Sequence, residues 1–256
     1  MKIKLVLLFF FLLIKITGYA LDIETLPSLR SEQHPLAPYE KVVIFSAPRT
    51  GSSLTYNVFK FLFEKDTHLS SSHEEWEKDR FVLKTHRFQD LESIREDNIL
   101  YVVTVRNPIA AGISNYRIAP RPLTDIRKFA ERVMLRHQNY ITYAEGMKKK
   151  GVSVLFVKYE ELDRNMDYLF TLIEQELSLS IKDQDKELMK EGYAKKNVHS
   201  SIQNLPDFKE FLPISGFHGN HIDLEPSMPP KELLYWLDHY LVEIKPFFQP
   251  YGYFLD

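Results

Sequence analysis

Four short groups of residues in this chain could do chemistry together. Arg49 runs into Thr50, Gly51, Ser52 and Ser53; Lys84, Thr85 and His86 form a triplet; Arg106 precedes Ser114 by eight positions; and Tyr159 follows an apolar run. Guanidinium forks, hydroxyls and the N–H groups of a glycine-containing turn are anion ligands. A histidine that titrates near neutrality can take a proton. Combined, they would hold a phosphate-like group and move a proton beside it. Taken singly, Arg49 or Arg106 could be half of an ion pair, His86 a satisfied imidazole in a core, and Tyr159 an aromatic filling an edge. What matters is therefore whether the backbone carries all four to one place.

The hydrophobic pattern says that it does. Val42 to Phe45 is an apolar run without helical period, ended by Ala47-Pro48, and Leu54, Val58, Phe59, Leu62 and Phe63 then follow at helical spacing. That is a buried strand, a tight loop and a helix start, where unpaired N–H groups and the positive end of the helix dipole face one point. Arg80 to Thr85, Ile99 to Val105 and Val152 to Val157 read as three further strands. Asp125 to Lys150 and Glu161 to Leu177 read as helices, Arg106 and Ser114 as joined by a turn, and Lys182 to Lys196 as a solvated helix face. Residues 205–230, rich in Pro, Gly and His, read as a long ordered loop, and Pro229-Pro230 open a last helix through Leu234, Leu237, Leu241 and Ile244. Strands alternating with helices imply right-handed crossovers and an α/β fold, a mostly parallel sheet wrapped on both faces. In such a sheet ligands bind beyond the carboxyl ends of the strands, where all four groups fall.

In order and spacing the motifs resemble the sulfotransferases that use 3′-phosphoadenylyl sulfate (PAPS). The resemblance rests on Ser-Ala-Pro-Arg-Thr-Gly-Ser-Ser at 46–53, Lys-Thr-His at 84–86, Val-Arg-Asn-Pro and a later Ser at 105–114, Val-Lys-Tyr-Glu-Glu-Leu at 157–162 and Gly-Phe-His-Gly-Asn at 216–220. It covers most of residues 41–254 and implies a three-layer, P-loop-like fold. It also implies that Arg49, Thr50, Gly51, Ser52 and Ser53 bind the 5′-phosphosulfate, Arg106 and Ser114 the 3′-phosphate, and Tyr159 the adenine. His86 would be the catalytic base, with Lys84 and Arg49 stabilising charge on the departing phosphate. Gly216, Phe217, His218 and Gly219 would complete the donor site, and the reaction calls for no metal.

The chain departs from the family at two places. Cytosolic members usually carry Arg-Lys before the Gly-x-x-Gly loop, where this chain has Ile214-Ser215, and the aromatic that often follows the first loop is Leu54. His218, His221, Lys195 and Lys196 are candidates to compensate for the missing pair. A nucleotide kinase is opposed by the absence of Walker A spacing, Gly-x4-Gly-Lys-Ser/Thr. A PAP- or PAPS-binding relative without turnover is the other alternative, opposed by the intact Lys84-Thr85-His86 triplet.

At 256 residues and 44% hydrophobic, the chain can bury one sizeable core, and a net charge of −2 argues against nucleic-acid binding through bulk positive charge. Lys2 and Lys4 precede the apolar run Leu5 to Ile14, and Gly18-Tyr19-Ala20 offers a cleavage site. Residues 1–20 are accordingly expected to be a signal peptide, or else a type II membrane anchor, with 21–38 a stem and 39–256 the folded domain. That places the protein in the secretory pathway, in the Golgi lumen or membrane or secreted, with a hydroxyl-bearing glycan, protein or small molecule as acceptor. The chain has no cysteine and no N-glycosylation sequon, so neither feature speaks for a lumenal site.

Overall fold

The computed structural model describes residues 23, 25–64, 81–94, 98–202 and 228–255. The expected signal peptide and the Gly216 to Gly219 loop lie outside them. Four parallel strands, β1 (Lys41–Phe45), β2 (Val82–Thr85), β3 (Ile99–Val105) and β4 (Val154–Lys158), form one sheet in the order β2-β1-β3-β4.

Alternate side chains of each strand enter different cores, which is why the runs read as continuously apolar. Val42, Ile44, Val82, Leu100 and Val102 pack with helices α1 (Ser52–Phe63) and α6 (Asp167–Leu177) on one face. Val43, Phe45, Leu83, Val103 and Val105 pack on the other with α4 (Ile126–Lys149) and α9 (Lys231–Phe248). The result is the expected three-layer α/β sandwich. Helices α2 (Phe88–Ser93), α3 (Pro108–Ile118), α5 (Tyr159–Arg164), α7 (Asp183–Gly192) and α8 (Lys195–Ile202) complete the described elements.

Several local expectations are corrected. Arg106 and Ser114 are joined by α3 rather than a turn: the Asn107 side chain accepts the Ile109 and Ala110 N–H groups, and Pro108 fills the first helical position. The helix expected over Glu161 to Leu177 is two, α5 and α6. Asn165 is extended, and its side chain accepts the Asp167 N–H to start the second. Helix α7 is no solvated rod, since Asp185, Leu188, Met189 and Gly192 are buried. The faces of the long helices also differ in detail, with Leu135 and Leu234 outward while Met134 and Leu233 are buried.

The largest correction concerns the stem. Residues 25–38 are a strap packed on the domain, with Leu26 fully buried. Arg30 Nη1 and Gln33 Nε2, each at 2.8 Å, and the His34 N–H at 3.1 Å donate to the carbonyls of Phe61, Phe63 and Leu62. Those are last-turn carbonyls of α1, which a helix cannot satisfy by itself. The prolines that suggested a linker thus belong to a strap, opening with a short 3-10 turn over Leu26–Leu29, whose later residues cap the end of α1. Ser31 closes the strap, its N–H (2.7 Å) and Oγ (2.6 Å) both donating to the buried Asp185 carboxylate.

Asp185→Ala leaves the Ser31 N–H without its acceptor and is expected to cost about 1–3 kcal/mol. In a domain this size that lowers Tm by roughly 2–4 °C per kcal/mol. Calorimetry and limited proteolysis check it: an unchanged Tm with residues 25–38 still protected would show that the Ser31–Asp185 contact does not hold the strap.

Candidate active site

The chain leaves β1 for β2 on one side and returns to β3 on the other, so the crevice of this sheet opens between the carboxyl ends of β1 and β3. The loop after β1 is pinned from below. Ser46 Oγ accepts the Thr104 N–H at 2.8 Å. Thr50 Oγ1 donates to the Ala47 carbonyl at 2.7 Å and meets Thr104 Oγ1 at 2.6 Å, where Thr104 must be the donor because the Thr50 proton is in use. The Thr50 side chain, expected at a ligand, is therefore committed to the loop itself and is buried.

Above these anchors the loop turns back on itself through positive φ at Arg49 (69°) and Gly51 (87°). A Cβ at Gly51 would lie 2.5 Å from the ring of Tyr159, so glycine is required by close approach as well as by conformation. Gly51 gives α1 no side-chain cap, which leaves the helix start for a ligand to satisfy.

Four of the expected groups meet here from four elements. Arg49 Nε donates to Ser114 Oγ at 3.0 Å, Arg106 Nη1 donates to the Arg49 carbonyl at 2.8 Å, and the Arg106 guanidinium lies 4.2 Å from the Tyr159 ring centroid. One face of Tyr159 is thus taken by Arg106. The buried Nε of Arg106 has no acceptor among the described residues. An orphan donor of this kind in a cavity wall suits an anion.

On the β2 side Lys84 Nζ donates to Ser53 Oγ at 2.9 Å and lies 5.8 Å from the Tyr56 ring. Burial pushes its ammonium down to about 8. His86 Nδ1 is 2.7 Å from the Ser46 carbonyl. A carbonyl only accepts, so Nδ1 carries the proton and Nε2 is left with the lone pair. Burial first, and then the Lys84 ammonium, bring His86 down to about 4, against the opposing pull of the Ser46 carbonyl. The imidazole is consequently neutral at pH 7. Arg136 of α4 donates to the His86 carbonyl at 2.7 Å and holds that peptide from outside.

These residues line one cavity of about 1050 Å³. Arg49, Gly51, Ser52, Ser53, Lys84, His86, Arg106, Ser114 and Tyr159 are all in its wall; Thr50 is not. Lys195 and Lys196, two of the candidates to compensate for the missing basic pair, are in the wall as well, and so are residues with no assigned place in the sequence reading, among them Arg117, Tyr193, Asp163 and His199. Arg117 was findable, since it lies one turn beyond Ser114 on the same helix. His199 of α8 carried no such signal. Among the described residues, six Lys or Arg side chains and one carboxylate, Asp163, line the cavity, and Asp163 already pairs with Lys195 at 2.9 Å. So lopsided a cavity is built for a polyanion.

No family model and no curated protein matches the chain. Among solved structures, the mouse sulfotransferase SULT7A1 complexed with PAP superposes with a TM-score of 0.58 at 16% identity, over 87% of this chain and 88% of that one. The sulfotransferase domain of the Synechococcus PCC 7002 olefin synthase matches with a TM-score of 0.45 at 13% identity, over 82% of this chain and 98% of that domain. The likeness to the mouse enzyme shows that this chain has the P-loop-like α/β fold found in sulfotransferases.

Proposed function

We propose that the protein transfers a sulfuryl group from PAPS to an acceptor hydroxyl, with His86 as the base. The observation that carries this reading is the Ser46–His86 contact, which leaves Nε2 as the lone-pair nitrogen of a residue in the same cationic wall as the β1 loop and Lys84. The mouse protein of like fold was solved with PAP, the product such a transfer leaves, and that favours PAPS as donor.

The site residues then divide as follows. Arg49 and the N–H groups at the start of α1 hold the 5′-phosphosulfate, and Arg106 and Ser114 hold the 3′-phosphate. The Arg49–Ser114 bond links the two phosphate-binding groups. Tyr159 meets the adenine with the face that Arg106 leaves open. Lys195 and Lys196 stand in the wall where the missing basic pair would otherwise leave the donor under-neutralised. Nε2 takes the acceptor's proton as its oxygen forms a bond to sulfur. The bond between sulfur and the bridging phosphate oxygen breaks, and Lys84 and Arg49 meet the charge that builds there. A histidine at about 4 is a weak base in the empty site, but a bound anion favours the imidazolium and raises it toward the range where proton transfer is efficient. The N-terminal run supports a place in the secretory pathway, Golgi or beyond, and with it a glycan or protein acceptor.

Labelled PAPS offered with glycan, tyrosyl-peptide and phenol acceptors tests the reaction. His86→Ala is expected to lower kcat on the order of 10²–10⁴-fold while PAP still binds. Arg49→Ala should weaken donor binding as well. Binding of PAPS no tighter than ATP would sink the proposal, and tight PAPS binding with no acceptor turned over would leave a binding protein.

The pH profile is a separate check. For kcat/KM of PAPS, which reports the free enzyme, activity is expected to fall above about pH 8 as Lys84 loses its proton, with no acid limb near 6.5 because His86 stays neutral down to about 4. Lys84→Arg keeps the charge at all accessible pH and should remove the alkaline limb; an unmoved limb would show that another group titrates there.

For location, the mass of the protein recovered from a secreting cell is expected to correspond to a chain beginning after Ala20. An intact N-terminus on a membrane-bound product would mean the anchor form instead.

A further inference from the structure

The last residues of the chain reach the donor side of the cavity without lining it. After α9 the chain turns through Gly252 (φ 79°) and delivers Tyr253 into the core, 8% exposed, against Phe248 and Phe254. The ring is apolar company for those aromatics, but its hydroxyl ends between two strand termini. It donates to Glu160 Oε2 and lies 3.1 Å from the Val105 carbonyl at the end of β3. The other oxygen of Glu160, Oε1, accepts the Asn107 N–H at 3.0 Å. Val105 and Lys158 are paired in register, so this carboxylate and hydroxyl tie the last residue of β3 to the segment that follows β4. Between the tied points, on either side, stand Arg106 and Tyr159, the stacked pair of the cavity wall.

We propose that Tyr253, acting through Glu160, is a positioning residue for donor binding: it sets the separation of the β3 and β4 ends and so aims the Arg106 guanidinium at the donor phosphate. Three observations converge on this. Among the described residues Arg106 is held by its Nη1 bond to the Arg49 carbonyl and by stacking, and its buried Nε finds no partner there, so its direction depends on the backbone beneath it. Asn107, the next residue, is held by Glu160 and also caps the helix that presents Ser114, so one displacement would move both expected 3′-phosphate ligands. Glu160 is half-buried and both of its oxygens accept hydrogen bonds, so losing the Tyr253 hydroxyl leaves one oxygen without that donor beside the site. Tyr253 is not itself in the cavity wall, which separates its role from that of the groups above it.

The inference rests on the cavity being a donor site, and the experiment keeps the two apart. Tyr253→Phe preserves the ring packing and removes only the hydroxyl. PAP binding by calorimetry is expected to weaken about tenfold, and KM for PAPS to rise in step, with kcat at saturating PAPS changed less than about threefold. Because Tyr253 acts through Glu160, adding Tyr253→Phe to Glu160→Gln should weaken PAP binding much less than it does in the wild-type background. An unchanged Kd for PAP with a lowered Tm would overturn the proposal, making the hydroxyl a tether for the chain end and nothing more. If the wild type binds neither PAP nor PAPS, the donor-site reading fails on its own. The positioning is then read from the Arg106 Nε–H resonance, identified by its loss in Arg106→Lys. A shift of that signal in Tyr253→Phe supports the tie, and an unmoved signal overturns it.

Discussion

Ser46 ties three strand ends with one residue. Its own position ends β1, its hydroxyl accepts from the Thr104 backbone of β3, and its carbonyl receives Nδ1 of His86 just past β2. Each bond is made in a place without solvent to replace it, since Ser46 is fully buried. Everything chemical in the molecule depends on that junction: the loop above it carries Arg49 and Gly51, and the histidine beside it has its tautomer chosen there. A neutral histidine with a bonded Nδ1 has only Nε2 left to act as acceptor, so a backbone carbonyl decides which atom of the ring is basic.

The second constraint is charge. Lys84, His86, Arg49 and Arg106 line one cavity; burial lowers Lys84, and burial followed by the Lys84 ammonium lowers His86. On the proposed reading, a bound polyanion would favour the charged forms of Lys84 and His86. The two cores on either side of the sheet and the strap that caps α1 hold the elements that carry these groups.

Much of this was legible in the chain. Strands buried on both faces announce themselves as unbroken apolar runs, and polar residues directly after such runs belong at the carboxyl edge; hence Arg49, Lys84, His86, Arg106 and Tyr159 could be placed without coordinates. What escaped did so for identifiable reasons. The strap of residues 25–38 carries no periodicity because its bonds go to the end of a helix rather than to a ladder. Helix α7 looked solvated because its charge pattern conceals the one aspartate that turns inward to Ser31. Thr50 looked like a ligand because a hydroxyl in a phosphate-type loop can face either way, and here it faces down.

The sequence alone determined the alternation of strand and helix, the sheet edge at which the polar groups gather and the types of those groups, because burial periodicity and strand ends are local properties of the chain. Only the tertiary structure decided which nitrogen of His86 is free, that Arg49 reaches Ser114, that Lys195, Lys196 and Arg117 share the wall, and that Tyr253 reaches Glu160 and the end of β3 from the far end of the chain. Those are contacts between residues tens to more than a hundred positions apart, and they exist because the crossovers return to one sheet edge, where distance along the chain no longer matters.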